Sequence, residues 1–258
     1  MGLVLSRRRL DSEMVRRDLV ASRSEAQRLI TESRVVIKGM PTPKPASLVD
    51  PDTPISIVGD ERRWVSRGAL KMLAALDAFP VDPTGKSVLD VGSSTGGFTE
   101  VVLARGADHV VALDVGRGQL HESLLADSRV SSMERTNFRW ADIEEIGGPF
   151  PLVVADLSFI SLCTVGEKLA EAADGGADVV VLVKPQFEAS KGEVGKGGIV
   201  TDQAVRERAV VKVVGCLGAA GLGAQGLIKS PIEGGDGNVE YLLWLRKGEA
   251  AKSLEVPE

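Results

Sequence analysis

The chain has 258 residues, enough for one large or two modest domains with an ample core. Hydrophobic residues make up 43%, mean hydropathy is +0.06, and no apolar run approaches the roughly 20 residues that a membrane helix needs. The net charge of −5 is uneven, because residues 1–58 hold 10 Lys and Arg against 7 Asp and Glu, whereas residues 59–258 hold 21 against 29. A basic head on an acidic body points to a polyanionic partner for the head. Arg7-Arg8-Arg9 has no apolar run behind it, so no secretory leader is expected. Cys163 and Cys216 are too few for a disulfide framework, and His109 and His121 offer no zinc set. A reduced, cytoplasmic setting without a metal is the resulting expectation.

Leu10 to Leu19 and Ser24 to Ile30 read as short amphipathic helices, the second with a capping box of Ser22 and Glu25. Val35-Val36-Ile37 and Ile55 to Val58 read as short strands, with Pro41, Pro43, Pro45 and Pro51 enforcing loop between them. Arg16, Arg17, Arg23, Arg28, Arg34 and Lys38 decorate this unit. The string Met-x-x-Arg-x-Leu-x-x-Ser-Arg-x-x-Ala-x-x-Leu-Ile, then Val-x-Ile-x-Gly, resembles the alpha-L RNA-binding domain. That resemblance implies that Arg16, Arg17, Arg23, Arg28 and Lys38 meet RNA phosphates, giving affinity more than sequence readout.

Residues 59–67 read as a linker. Ser66 is placed to cap a helix reaching Phe79, with Leu70, Leu73, Ala74 and Leu76 as its apolar stripe and Lys71 among them. The stretch Val88-Leu89-Asp90-Val91-Gly92-Ser93-Ser94-Thr95-Gly96-Gly97-Phe98 then organises everything that follows. It is a buried strand, a glycine turn and a helix start capped by Ser94 or Thr95, the nucleotide-binding corner of a doubly wound α/β sheet. The spacing departs from G-x-G-x-x-G, which argues against a dinucleotide. It fits the looser D-x-G-x-x-x-G turn of S-adenosylmethionine methyltransferases, with Gly92, Ser94, Gly96 and Phe98 at the cofactor.

His109 to Leu113 is the next strand. It ends in Asp114, 22 residues after Gly92, near the ~20-residue offset of an acid that grips a ribose diol. Gln119 to Leu125 reads as a helix and Val130 to Met133 as a strand, followed by Asn137 where an adenine contact is expected. Leu152 to Ala155 and Asp178 to Val183 are buried parallel strands ending in Asp156 and Lys184. Lys191 to Gly198 reads as a mobile Gly/Lys loop, Asp202 to Leu217 as a long helix, and Gly226 to Ile232 and Asn238 to Leu245 as closing strands. Glu240 falls inside the last of these, and residues 248–258 read as a disordered tail.

Lys71, Asp156, Lys184 and Glu240 are misplaced for structure alone. Their order, Lys-Asp-Lys-Glu, matches the tetrad of the FtsJ-like ribose 2′-O-methyltransferases. The strings Ser-Arg-Gly-Ala-Leu-Lys, Ser-Thr-Gly-Gly-Phe-Thr-Glu, Asp-Leu-Ser-Phe-Ile-Ser, Lys-Pro-Gln-Phe-Glu and Gly-Asn-Val-Glu-Tyr, behind an alpha-L head, are similar to the TlyA or hemolysin A family of ribosomal RNA methyltransferases. The resemblance implies an alpha-L domain over 1–58 and a Rossmann-like, doubly wound methyltransferase sheet over 68–247. It also implies S-adenosylmethionine as cofactor, and 2′-O-methylation of cytidine in ribosomal RNA or ribosomal subunits. Lys71, Asp156, Lys184 and Glu240 would be catalytic, with Asp156 also beside the cofactor. Lys184 would be the base or the group that orients the hydroxyl. Two other readings are a nicotinamide oxidoreductase, which lacks its glycine pattern, and an RNA-binding lytic protein without transferase activity, for which no spanning or basic amphipathic segment speaks.

Overall fold

A computed structural model describes residues 7–17, 19–20, 22–37, 43–51, 53–57, 64–235 and 237–258. The chain forms two compact units, Met1–Arg63 and Trp64–Glu258. Lys38, one of the expected phosphate contacts, lies outside the described residues, as do Val58 and residues 59–63 of the expected linker. Trp64 and Val65 are no linker. They pack on the second unit's core, and the Val65 N–H donates to the Glu100 carboxylate at 2.7 Å.

In the first unit, α1 (Leu10–Arg16) and α2 (Arg23–Thr31) pack over two strand pairs, β1 (Arg8–Arg9) with β3 (Leu48–Val49) and β2 (Val35–Ile37) with β4 (Ile55–Ile57). Ser22 caps α2 by accepting from the Glu25 N–H at 3.2 Å, as its sequence predicts. Helix α1 stops at Arg16, short of Leu19. The apolar core is Leu10, Met14, Ala26, Leu29, Ile30, Val35, Ile37 and Val49.

Two carboxylates on α1, fully buried, organise the arginines around them. Asp11 accepts from Arg9 at 2.9 Å, Arg23 at 3.0 Å and Gln27 at 3.0 Å. Glu13 accepts from Arg16 at 2.6 Å and Arg17 at 2.8 Å. Arg17 also donates to the carbonyls of Thr53 and Asp50 and is only 20% exposed. It ties the unit together and is the least exposed of the described arginines expected at RNA. Arg16, Arg23 and Arg28 keep more than 45% of their side-chain surface exposed.

The second unit holds a seven-stranded sheet built from β5 (Ser87–Val91), β6 (His109–Leu113), β7 (Val130–Met133), β8 (Phe150–Ala155), β9 (Ala173–Val183), β10 (Leu222–Lys229) and β11 (Tyr241–Lys247), in the order β10-β11-β9-β8-β5-β6-β7. β11 runs antiparallel to both its neighbours, while β5 to β9 are parallel. The chain winds from β5 outward to β6 and β7, then returns to lay β8 on β5's other side. That reversal opens a crevice at the carboxyl ends of β5, β6 and β8. Alternate residues of each strand face opposite layers. Val88, Val110, Leu152 and Val180 meet α3 (Ala69–Ala78) and α4 (Gly97–Ala104). Leu89, Val111, Val153 and Val179 meet α6 (Leu162–Ala172) and α8 (Gln203–Ala219). Between these, α5 (Glu122–Leu125) and α7 (Pro185–Glu188) are single turns.

Several local expectations change. Helix α3 buries Ala69, Lys71, Met72, Ala75 and Leu76, and Leu70 faces out, so the stripe is rotated from the predicted one. The helix is apolar nearly all round, and two helical stripes of similar spacing compete in its sequence. Gly68, not Ser66, is the α3 cap, and Gly96, in the left-handed region at φ +96°, is the α4 cap instead of Ser94 or Thr95. Glu240 precedes β11 instead of lying within it. The tail 248–258 is without helix or strand, yet it is tied down: the Lys252 N–H donates to the Ala224 carbonyl at 2.8 Å, and Leu254 and Val256 pack on the core. Cys163 on α6 and Cys216 on α8, expected to be free, form a disulfide with Cα atoms 5.5 Å apart, a normal separation for that bond.

The first unit has a pH signature. The arginine pair holds the Glu13 carboxyl down at about 2, against an ordinary 4.5. A depressed folded-state value gives stability that is present above the unfolded value and lost as pH falls through the folded one. Amide hydrogen exchange in residues 10–37 is therefore expected to accelerate as pH falls from about 4.5 to 2, after correction for intrinsic exchange. In Glu13→Gln that protection is already reduced at pH 7, and the acid-dependent loss is smaller.

Candidate active site

Four strand ends converge on one rim of the sheet. β5 is followed at once by Gly92, β6 by Asp114, β8 by Asp156 and β9 by Lys184. Because β11 is reversed, its beginning lies at this same rim, with Tyr241 paired to Val183. Glu240 thus arrives beside Lys184. Apolar side chains are consumed by the two core layers along each strand, and the first polar residue after each run emerges at the crevice.

The turn after β5 fixes the local shape. Gly92 adopts φ +80°, and a Cβ there would lie 2.5 Å from the Asp156 carbonyl oxygen, so only glycine fits between the two strand ends. Ser94 takes φ +49°, and its N–H donates to Asp114 Oδ2 at 2.9 Å. Gly116 N–H donates to Asp114 Oδ1 at 2.6 Å. Asp114 is therefore locked in place with lone pairs left over at the crevice. At Gly96 the missing side chain makes room for Leu120 and Leu124. Asn137 caps a single 3-10 turn, Phe138–Trp140, by accepting from the Arg139 N–H at 3.1 Å.

Two cavities flank this turn and share Gly92, Ser94 and Asp156. The larger, about 520 Å³, is also lined by Asp114, Asn137 and Phe138. The smaller, about 400 Å³, is lined by Ser66, Arg67, Lys71, Gly97, Phe98 and Asp156. Gly92, Ser94, Asp114, Asn137, Phe98 and Asp156, all predicted at the cofactor, are brought together here.

The tetrad resolves into two ion pairs. Lys184 Nζ lies 2.7 Å from Asp156 Oδ1 and donates to Ser158 Oγ at 2.8 Å. Lys71 Nζ lies 2.5 Å from Glu240 Oε2, with both side chains under 10% exposed. Phe187 stacks obliquely on Phe159 at 5.2 Å, next to the Lys184 ammonium. Sequence reasoning missed Ser158 and both phenylalanines. It also passed over Asp90, which is fully buried, accepts from Thr99 Oγ1 at 2.6 Å, and leaves Oδ1 without a partner. Burial, reinforced by the carboxylates of Asp156 and Asp114, pushes its carboxyl up to about 7.

This strand-turn-helix corner with its acid-bearing rim matches a known family. The model for FtsJ-like methyltransferases matches residues 64–247.

The chain belongs to the FtsJ-like methyltransferase family.

Its relatives in that family include the 16S/23S rRNA (cytidine-2′-O)-methyltransferase TlyA of Mycobacterium tuberculosis, 52% identical over 96% of this chain and 95% of that protein. Hemolysin A of Brachyspira hyodysenteriae is 36% identical over 91% of this chain and 98% of its own length. Among solved structures, a candidate hemolysin of Streptococcus thermophilus superposes with a TM-score of 0.72, at 37% identity, over 96% of this chain and 91% of that one.

The cofactor of an FtsJ-like enzyme is S-adenosylmethionine, and the residues fit it. The Gly92 cradle lets a ligand approach backbone closely, Asp114 offers a fixed carboxylate for a ribose diol, and the orphaned Asp90 oxygen marks buried acceptor capacity behind the turn. Asp114→Ala is expected to weaken S-adenosylmethionine binding by roughly tenfold or more, the cost of one lost charged acceptor. Isothermal calorimetry on the folded variant checks this, and an unchanged affinity would remove Asp114 from the cofactor site.

Proposed function

We propose that this protein transfers the methyl group of S-adenosylmethionine to the 2′-hydroxyl of a cytidine in ribosomal RNA, of the small subunit, the large subunit or both. The observation that carries the reading is two lysine–carboxylate pairs, Lys184 with Asp156 and Lys71 with Glu240, of which Lys71 and Asp156 line the smaller cavity beside the Gly92 turn. The cytidine-2′-O-methyltransferase activity named for the Mycobacterium tuberculosis relative supports the choice of nucleotide. A ribosomal substrate also places the work in the cytoplasm. The name of the Brachyspira relative keeps a lytic reading in view. However, no helix among the described residues is long and apolar enough to cross a membrane, and the rim's polar groups have no use in lysis.

When bound, S-adenosylmethionine supplies a methyl group already activated on a sulfonium. The chain must then hold the ribose in line and take the proton of its hydroxyl. Lys184 is the base or the hydroxyl-orienting group. Asp156 and Ser158 fix its ammonium in one place. Lys71, fixed by Glu240, is the second donor to the ribose. The first unit supplies affinity for RNA phosphates through Arg16, Arg23 and Arg28, with Lys38 as a further contact. Asp11 and Glu13 anchor the first two of these arginines in set directions.

Single-turnover transfer of labelled methyl to ribosomal RNA tests the part played by Lys184. Arginine keeps the charge but does not give up a proton at ordinary pH, whereas alanine removes both. If Lys184 is the base, Lys184→Arg and Lys184→Ala both lose at least about 10²-fold in rate, the size of a general-base contribution, with cofactor affinity kept. Substantial turnover by the arginine variant would leave the lysine with orientation alone.

A further inference from the structure

Asp90 is used by none of the steps above, yet it is an unusual group. It sits two residues before the Gly92 turn, its neighbours across the sheet are Ala112 and Val154, and it is 0% exposed. One oxygen accepts from Thr99 on the first turn of α4, and the other has no partner. A carboxylate buried with half its acceptor capacity unspent is costly unless a cation or a proton compensates it.

The charged groups near it do not compensate it. From β6 the neighbour is Asp114 and from β8 it is Asp156, both of its own sign. The rim lysines already have partners, Lys184 facing Asp156 and Lys71 facing Glu240, and of the cavity-lining arginines Arg67 donates to the Glu233 carbonyl and Arg139 lies over the Trp140 ring. On α4, Glu100 is a further acid, turned to the Val65 N–H. The charged groups that act on Asp90 are thus acids, and it lies directly beneath the Gly92 turn that borders both cavities.

The cofactor brings one. S-adenosylmethionine carries one positive charge more than its product, S-adenosylhomocysteine, because methyl transfer turns a sulfonium into a neutral thioether. We infer that Asp90 is a specificity-determining residue that reads this charge: it binds a proton in the free enzyme, releases it to solvent when the sulfonium form docks, and keeps it when the thioether form docks. The inference rests on the cofactor reading of the cavity. A carboxyl whose protonation changes near pH 7 is poised for such an exchange. The consequence is asymmetric affinity. At neutral pH the ionised aspartate favours the substrate form, and once the methyl has gone that extra hold is lost.

The sign is fixed by linkage. Raising pH ionises Asp90, so S-adenosylmethionine binding tightens with pH while S-adenosylhomocysteine binding stays flat. Calorimetry of the full-length protein with each ligand, at pH 7 in buffers of different ionisation enthalpy, counts the protons. S-adenosylmethionine is expected to release up to about half a proton more than S-adenosylhomocysteine. The ratio of their affinities is expected to rise about fivefold between pH 6 and pH 8, the effect of one unit of coupling. In Asp90→Asn both differences vanish. Should that variant not fold, Thr99→Val serves in its place. It removes the hydroxyl that favours the ionised form, so the pH at which the affinity ratio changes moves upward. Equal proton counts for the two ligands in the wild type would overturn the inference, as would an unchanged difference in Asp90→Asn or an unmoved midpoint in Thr99→Val. Failure of both ligands to bind would instead overturn the cofactor reading itself.

Discussion

The buried ion pair between Lys71 and Glu240 is the constraint on which the catalytic end of the sheet depends. The two residues lie 169 positions apart, one on a helix before the sheet and one at the threshold of its reversed strand. Taking both charges out of water is expensive, and removing either partner would strand the other. The pair is tolerable only because α3, β9 and β11 register against one another so that an ammonium and a carboxylate meet. The same registry sets Tyr241 opposite Val183 and so brings Glu240 next to Lys184. Without a reversed β11, the residue before that strand would lie at the far end of the sheet.

The topology explains why so many polar groups gather here without disturbing the core. Five parallel strands spend their apolar residues on two helical layers, and their first polar residues emerge together at the crevice. Gly92 then has to be glycine, because the Asp156 carbonyl occupies the space that any side chain would need. Asp90 is the exception to the rule that polar residues wait for the strand to end. It lies inside the strand, under the turn, and its environment makes its proton negotiable.

Much of this was readable in advance, for physical reasons that can be named. A strand such as Val179 to Val183 can only be a buried one, so the lysine that follows it had to stand at the rim. Asp114 and Asp156 were legible in the same way. Lys71 was legible as part of a pattern, but its direction was not. A helix that is apolar on nearly every side has no unique stripe, and its partnership with Glu240 selects which face turns inward. Asp90 was legible only as the acid of the D-x-G-x-x-x-G turn, because its full burial depends on the neighbouring strands and helices that close over it. The tail is rich in charge, yet Leu254 and Val256 are enough to dock it. The link between Cys163 and Cys216 depends on how α6 and α8 lie together, which spacing along the chain does not encode. In the first unit, arginine positions were evident, but not that buried Asp11 and Glu13 would claim them or that Arg17 would also bind the carbonyls of Thr53 and Asp50.

The central claim is that these two lysine–carboxylate pairs direct methyl transfer to a ribose oxygen. Mass spectrometry of nucleosides, after ribosomal RNA has been incubated with the protein and methyl-deuterated S-adenosylmethionine, tests it most directly. The account predicts the label in 2′-O-methylcytidine, on the sugar fragment. Label on the base fragment, or no label in RNA from either subunit, would contradict it.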